Sequence, residues 1–283
     1  MTEPKIVCGN NVPNSFAQIG ITTKYTLLDY VRSRRFYILL GFVIAISAVL
    51  TGVVAGYRPA AFLSSDLAFY NGWWGNSALI VIALIGVFFG GDAISGEFQN
   101  KTGYFTVPNP IRRSSIYIGK WLAAFIASTI VLAVFATITV VNGLYYFSGV
   151  PYQFGLSLLF AWFYLVAVLG FTFFFSSLFK NSSYSILVTL ILFLFAFTLI
   201  QTLVSALVQI EPWFILTYGA QIIGNVLTTT YPPHMTTSNF GPEGGTGFTT
   251  FNVTIPEGLA IIGIYFAITA ILGLILFERK EFT

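Results

Sequence analysis

The sequence contains very few charged residues. Asp, Glu, Lys and Arg together make up 8% of the 283 residues, whereas 56% are hydrophobic. In soluble domains about a quarter of the residues are charged. The composition therefore excludes an ordinary soluble protein and predicts an integral membrane protein in which residues 1–283 form a single domain.

Cysteine and histidine each occur only once, as Cys8 and His234. A lone cysteine excludes a disulfide within the chain. A lone histidine lacks the neighbouring ligands that make a metal site recognisable in a sequence. His234 is therefore expected to be an ordinary surface residue, and no metal site is predicted.

Sequence motifs for nucleotide binding and catalysis are also missing. A P-loop needs Gly-x-x-x-x-Gly-Lys-Ser/Thr so that backbone amides can surround the phosphates. The pair Gly119-Lys120 is followed by Trp121 and lacks the upstream glycine. The sequence also lacks the His-Glu-x-x-His motif of metalloproteases. The chain is therefore expected to bind no ATP and to catalyse no reaction by itself.

Six apolar stretches are candidates for membrane-spanning helices. A helix needs about 20 residues to cross about 30 Å of hydrocarbon. The second stretch is shorter, so we expect it to begin near Asn71, with Trp73 and Trp74 at the lipid interface. The predicted spans are Phe36–Gly56, Ser77–Gly91, Trp121–Tyr146, Phe154–Phe179, Tyr184–Val208 and Gly258–Phe277.

The predicted spans contain no Asp, Glu, Lys, Arg or His. Transporters coupled to protons or sodium ions place such a residue inside a span, and charged rings line many channels. The neutral polar residues Asn142 and Gln201 suit helix packing, or the lining of a path for an amphipathic substrate. Ion coupling and channel function are therefore the weaker predictions.

The basic residues predict the orientation. Of the 13 Lys and Arg residues, only Arg58 falls on the side opposite the others. Cytoplasmic loops carry an excess of Lys and Arg. We therefore predict a multi-pass protein of the cell membrane with both termini in the cytoplasm. Because its basic residues are spread over several helix ends, no nucleic acid partner is expected.

Residues 15–35 are predicted to form an amphipathic helix on the cytoplasmic leaflet. Its end carries Arg32, Arg34 and Arg35, which anionic lipids would favour by about 1 kcal/mol each. Contact of this basic run with a partner protein is the alternative. The face predicted from three- and four-residue spacing consists of Phe16, Ile19, Thr23, Leu27, Tyr30 and Val31.

Residues 209–257 form the long extracellular loop of this topology. Its first half, Pro212–Leu227, is too apolar for a free loop and is broken by Gly219 and Gly224. One or two short re-entrant helices buried against protein are predicted there. The second half, Thr228–Pro256, is rich in Thr, Gly and Pro and is predicted to be exposed to solvent.

One candidate modification site lies in this loop. Asn-x-Ser/Thr sequons occur at Asn100, Asn181 and Asn252, and the topology places only the third outside. A glycosylation enzyme could therefore reach only that one. Asn252 is the predicted glycosylation site.

Residues 92–118 form a charged segment between the second and third spans, which we call the elbow. It begins with Asp92 and Glu97 at the end of the second span, and Pro108 and Pro110 interrupt any helix that follows. The elbow is either a solvated hairpin that reverses the chain or a docking site for a cytoplasmic partner.

Two segments resemble the ABC-2 type permease family. The stretch from Lys24 to Phe36 is similar to the amphipathic connecting helix of those proteins. The elbow resembles the segment between their second and third spans, although Thr102-Gly103 reverses the usual Gly-Thr and Arg112 replaces the usual Ser. The matching residues are Ile94-Ser95-Gly96-Glu97, Lys101-Thr102-Gly103, Pro110-Ile111-Arg112-Arg113-Ser114-Ser115-Ile116 and Gly119-Lys120.

The resemblance implies an all-α permease subunit of an ABC transporter, usually an exporter. It would work with an identical or related second permease, paired through spans one and five, and with separate ATPase subunits that carry ATP and Mg²⁺. The chain itself would hold no cofactor. The implied residues are Glu97, Phe98, Lys101 and Arg113 for ATPase coupling, Lys24, Arg32, Arg34 and Arg35 in the connecting helix, and Pro212, Trp213 and Phe214 at an outer gate.

The sequence thus predicts an exporter of an amphipathic or lipid-like molecule, in contact with membrane lipids. The alternative is a receptor or accessory membrane subunit that does not transport. Such a protein would bind an extracellular ligand through its long outer loop.

The predicted orientation can be tested with introduced cysteines. In a Cys8→Ser background, Thr2→Cys and Thr283→Cys should not react with a membrane-impermeant thiol reagent in intact cells, because positive charge keeps both termini inside. Ser238→Cys should react. Labelling of either terminus in unbroken cells would contradict the orientation, and labelling after permeabilisation is the control for reactivity.

Overall fold

The computed structural model describes residues 14–100, 112–238 and 248–280. Six of its helices are long and apolar enough to cross a membrane, which confirms the all-α integral membrane class. We call the side that carries residues 209–257 the outer side. Spans one to six are Arg34–Tyr57, Asp66–Gln99, Arg113–Phe147, Tyr152–Leu178, Ser182–Val208 and Ile255–Arg279.

Two of these spans are not regular along their length. Span two comprises the α-helical pieces Asp66–Tyr70, Asn76–Gly90 and Ser95–Gln99, with a π-helical turn at Asn71–Gly75. Such turns are rare and frequently mark functional sites. Span five consists of the α-helical pieces Ser182–Ile191 and Phe197–Leu203, each followed by a π-helical turn, at Leu192–Ala196 and Val204–Val208.

The remaining elements are short, apart from the N-terminal helix Ser15–Arg32. Ala60–Leu63 follows span one. The outer loop contains two four-residue helices, Leu216–Gly219 and Ile222–Asn225. It also contains an antiparallel pair of strands, β1 (Met235–Ser238) and β2 (Phe248–Phe251), in which Met235 pairs with Phe251.

Spans two and four form the centre of the bundle. In their most apolar stretches 67% and 61% of the residues are buried, against 22% in span one and 11% in span five. The two central spans approach closely because Gly86 faces Val168 and Gly90 faces Thr172. Small residues allow such backbone approach in membrane helices. Spans one and five therefore lie at the periphery with most of their surface uncovered.

The prediction that Trp73 and Trp74 lie in a lipid-facing belt is wrong. Both side chains are fully buried. Trp74 stacks on Phe135 with ring centroids 5.3 Å apart, and its Nε1 donates to Ser157 Oγ at 3.0 Å. The π-helical turn at Asn71–Gly75 therefore carries these rings in the core of the bundle.

The N-terminal helix packs against the beginning of span three. Thr23 Oγ1 donates to the Gly119 carbonyl at 3.1 Å, and a Cβ at Gly119 would meet Thr22 at 2.7 Å. Phe16, at one end of the predicted apolar face, is 89% exposed, whereas Gln18 is buried against the protein. The side that meets the protein therefore contains polar residues such as Thr23 and apolar residues such as Leu27 and Tyr30, and Phe16 points away from it.

The first half of the outer loop contains two short helices whose apolar residues are buried. Ile222 and Ile223 are fully buried, and the Ile223 carbonyl accepts a hydrogen bond from Ser157 of span four at 2.6 Å. The second half is less exposed than predicted, since Thr249 and Val253 are buried. The outer loop is therefore partly folded onto the ends of the spans.

The close approach of spans two and four predicts a strong effect of one methyl group. A Cβ at Gly86 would overlap the Val168 side chain, whereas a Cβ at Gly263 meets nothing within 4 Å. Overpacking lowers the free energy of unfolding by about 1–3 kcal/mol. Each kcal/mol lowers the unfolding midpoint by roughly 2–4 °C. Gly86→Ala should therefore lower the unfolding midpoint of the detergent-solubilised protein. Gly263→Ala, the control, should leave it unchanged or raise it, and equal midpoints would contradict the packing.

Candidate functional site

The described part of the elbow includes the short helix Ser95–Gln99, which forms the inner end of span two. The structure describes its residues 92–100 and 112–118, so the predicted coupling residue Lys101 lies outside the described residues. The long helix of span two ends at Gly90, a turn follows, and the five-residue helix begins at Ser95. The backbone at this break is stabilised by span four, because Ser176 Oγ accepts hydrogen bonds from the amides of Ile94 at 2.9 Å and Ser95 at 3.0 Å.

Glu97 is directed towards span three. Its Oε1 lies 2.5 Å from Lys120 Nζ, and the same ammonium group donates to the Ala93 carbonyl at 2.9 Å. The side chains of Lys120 and Glu97 are only 13% and 21% exposed. An ion pair buried to this degree leaves an uncompensated charge when one partner is removed. Glu97 therefore fixes the elbow to span three.

Phe98 and Arg113 connect the elbow to the inner end of span six. Lys280 Nζ lies 4.3 Å from the centroid of the Phe98 ring, a cation–π contact. Arg113 Nη1 donates to the carbonyls of Glu278 at 2.9 Å and Lys280 at 3.0 Å. Both predicted coupling residues are thus engaged with span six or the residue that follows it.

The neighbouring ends of spans four and five complete these contacts. Lys280 Nζ donates to the carbonyls of Ser177 and Phe179, both at 2.8 Å, where span four ends. Gln99 Oε1 accepts from the amide of Ser182 at 2.9 Å, where span five begins. The elbow and Lys280 therefore connect the inner ends of spans two to six.

Burial, together with the weaker effect of the nearby positive charge of Lys180, lowers the pKa of Lys280 from its ordinary value of 10.5 to about 8. The carbonyl groups around its ammonium are the partners that hold the charge at neutral pH.

The N-terminal helix is attached to both sides of the elbow. Tyr30 Oη donates to the Phe89 carbonyl of span two at 2.9 Å, and Gln18 Oε1 accepts from the Arg112 amide at 3.3 Å. Arg35 forms an ion pair with Asp92. The other predicted basic residues of this region, Lys24, Arg32 and Arg34, are exposed.

The predicted outer gate is divided between buried and exposed residues. Pro212 is buried, whereas Trp213 is 63% and Phe214 44% exposed. Trp213 and Phe214 line an apolar groove against span six, where Tyr265 Oη donates to the Phe214 carbonyl. In this conformation the two rings thus lie along the side of span six.

A polar cleft of about 640 Å³, which the sequence did not indicate, opens on the outer side. Spans two and five, the second short helix and β2 form its walls. Asn252 lies in it, and its Nδ2, the atom to which a glycan is attached, donates to the Pro233 carbonyl at 2.9 Å. Glycosylation of Asn252 stays a prediction, and it would require this hydrogen bond to break. The polar residues of the lining include Asn71, Asn76, Gln201, Ser205, Gln221 and Asn225.

Beside the cleft lies a cluster that sequence reasoning missed, formed by Glu211, His234 and Glu257. Burial by itself would raise the pKa of Glu211, but hydrogen bonds from Tyr218 and Glu257 and the charge of His234 bring it below its usual value. The signal in the sequence was weak because these residues lie far apart along the chain. Only the folded outer loop brings them together.

A comparison with protein families gives one match to nearly the whole chain. The family model described as "ABC-2 family transporter protein" matches residues 21–282. This range includes all six spans, the elbow, the outer cleft and most of the N-terminal helix. No curated protein matches the chain.

The lowered pKa of Lys280 predicts a pH-dependent stability. Between pH 8 and 10.5 the unfolded chain binds more protons at this lysine than the folded chain, so its contribution to the free energy of unfolding rises with pH. This contribution of Lys280 to the free energy of unfolding is lost as the pH falls through 8, because the folded chain then binds the proton as well. The unfolding midpoint of the wild type, minus that of Lys280→Met, should therefore increase from about pH 8 towards pH 10. Lys24→Met, which removes an exposed lysine, is the control, and an identical profile for it would contradict the assignment.

Proposed function

Since this chain belongs to the ABC-2 family of transporter proteins, we propose that it is the permease of an exporter driven by a separate ATPase. The substrate is amphipathic or lipid-like. ATP and Mg²⁺ bind to the ATPase, and the permease provides the path through the plasma membrane. The elbow and both termini lie in the cytoplasm.

The observation that carries this proposal is the set of contacts around the elbow. A partner protein can shift a conformational equilibrium only if it interacts differently with the two states. The elbow is joined to spans three, four and five by side-chain hydrogen bonds and to the end of span six by a cation–π contact. Displacement of the elbow by an ATPase would therefore be passed to these spans directly.

The individual residues have two kinds of role in this proposal. Glu97, Phe98 and Arg113 act as positioning residues, because their side chains contact other parts of the permease. The exposed Asn100, where the short helix ends, contacts the ATPase. Lys101, which lies outside the described residues, keeps its proposed ATPase contact. This assignment modifies the sequence-based one, which gave all the predicted coupling residues a direct contact.

A second permease subunit completes the path. Spans one and five are the least covered together with span six, and they expose large apolar side chains. A second copy or a related chain can cover spans one and five, and lipid covers what is left. The polar outer cleft touches span five, so it lies beside this proposed interface. Substrate leaving between two permeases would meet the cleft on its way out.

Purification from native membranes separates this function from the receptor alternative. The transporter requires that a P-loop ATPase co-purifies with the chain and is identified by mass spectrometry. A receptor that binds an external ligand does not require one. Recovery of the intact permease without any P-loop ATPase, under conditions mild enough to keep complexes together, would contradict the proposal.

Charge exchange at the elbow tests the coupling mechanism. Glu97→Lys or Lys120→Glu leaves like charges in contact at a partly buried site, at a cost of about 3 kcal/mol. If this cost is taken from the stability of the coupled state, each single variant should reduce the rate of ATP hydrolysis by the reconstituted complex at least about tenfold. The double exchange should restore most of the ATP hydrolysis, because it re-forms the ion pair.

The control is Asp29→Lys, which reverses an exposed acid of the N-terminal helix on the same side of the protein. It should leave hydrolysis nearly unchanged. If the double exchange is as inactive as Glu97→Lys, although all variants still bind the ATPase, then Glu97 contacts the ATPase itself and the positioning role is wrong.

A further inference from the structure

Three residues from separate parts of the outer loop meet at one point. Glu211 follows span five, His234 precedes β1, and Glu257 lies in the first turn of span six. One potential ligand atom from each lies within 4.8 Å of the other two. These are an imidazole nitrogen and two carboxylate oxygens, the ligand types found in zinc sites.

The ring of His234 is held in a defined orientation. Its Nδ1 lies 3.0 Å from the Asn252 carbonyl, which can only accept a hydrogen bond, so Nδ1 carries the proton. Its Nε2 faces Glu211 Oε2 at 3.5 Å. A histidine that binds a metal through one nitrogen almost always donates from the other to a carbonyl or carboxylate. The backbone at Asn252 thus presents Nε2 as the free ligand atom.

The two carboxylates are positioned by separate hydrogen bonds. Tyr218 Oη donates to Glu211 Oε1 at 2.6 Å, which leaves Oε2 towards His234. Glu257 is held by the amide of Thr254 at 3.3 Å, in the capping box that begins span six. Two carboxylates this close repel each other unless a cation or a proton lies between them. A divalent ion would balance their charge while the imidazole stays neutral.

The ligand set selects among divalent ions. Ca²⁺ and Mg²⁺ prefer oxygen ligands only, whereas an imidazole together with carboxylates suits Zn²⁺. In a tetrahedral zinc site with bonds of about 2.0–2.1 Å, the ligand atoms are about 3.4 Å apart. His234 Nε2 and Glu211 Oε2 are already 3.5 Å apart. The three atoms lie within 4.8 Å of one another, so rotations of the glutamate side chains can close the site. Its fourth position would take water.

We propose that Glu211, His234 and Glu257 bind one Zn²⁺ ion on the outer side of the protein. The ion would join the end of span five, the hairpin of β1 and β2, and the beginning of span six. Asn252, whose carbonyl orients His234, also lines the polar cleft. Zinc binding would therefore fix one wall of the cleft and restrict how far the outer loop can move away from the spans.

Zinc binding can be measured on the purified permease alone. The protein carries an affinity tag without histidine and the Cys8→Ser change, so that His234 is its only imidazole and no thiol is present. It is incubated with Zn²⁺, passed through gel filtration and measured by mass spectrometry of the metal. A titration with Co²⁺ gives the absorption bands of a tetrahedral site. The wild type should retain one ion per chain.

Three variants remove one ligand each: His234→Ala, Glu211→Gln and Glu257→Gln. Each should weaken binding at least about tenfold. Asp66→Asn removes an acid near the beginning of span two and is the control, which should bind as the wild type does. The Glu→Gln changes preserve the shape of the side chain. They therefore remain informative if His234→Ala lowers the yield of folded protein. Circular dichroism and elution volume show whether each variant is folded.

Two results would overturn the site. In the first, the wild type retains no more zinc than His234→Ala, and the cluster is then an ordinary ion pair of protonated His234 with Glu211. In the second, both glutamine variants bind as the wild type does, and His234 then binds metal without the carboxylates. No ATPase is needed for these measurements, so either result leaves the proposed transport function unaffected.

Discussion

Every backbone amide and carbonyl inside a membrane must be hydrogen-bonded within the protein, because lipid offers no partner. This chain meets that requirement at two interruptions through serines of span four. Near its inner end, Ser176 accepts from two amides at the break before the elbow. Near its outer end, Ser157 donates to the Ile223 carbonyl in the short helices of the outer loop and accepts from Trp74. Span four thus supports the irregular segments on both sides, which explains why it lies at the centre of the bundle.

The few charged residues lie near the ends of the spans, where water or an ion-pair partner can stabilise their charge. The pairs Glu97–Lys120 and Arg35–Asp92 hold the inner side together. Charges in partly buried positions are costly to separate, so a small number of pairs can define the arrangement of several helices. The cluster that includes Glu211 is the outer counterpart, but its two carboxylates face a single imidazole. Either a proton on Glu257 or the proposed cation balances their charge.

The sequence predicted the spans because hydropathy depends on composition along the chain, and the acids that follow Gly91 marked where the long apolar helix of span two ends. It could not predict which face of a helix meets protein. Trp73 and Trp74 have the composition of an interfacial belt, yet the π-helical turn places them in the core. The cluster around His234 was missed for another reason. Its ligands belong to separate segments, and their meeting depends on how the outer loop folds.

The elbow and the outer cleft are linked by helices that run from one side to the other. Span six begins beside the cluster at Glu257 and ends next to Lys280, which contacts Phe98 of the elbow. Its 25 residues form one uninterrupted helix, so movement at one end is not absorbed by a break along the way. If an ATPase moves the elbow and thereby changes the outer cleft, a ligand that favours one state of the cleft must bias the elbow by the same free energy. Coupling in this protein would therefore operate in both directions, through packed helices whose charged residues lie near their ends.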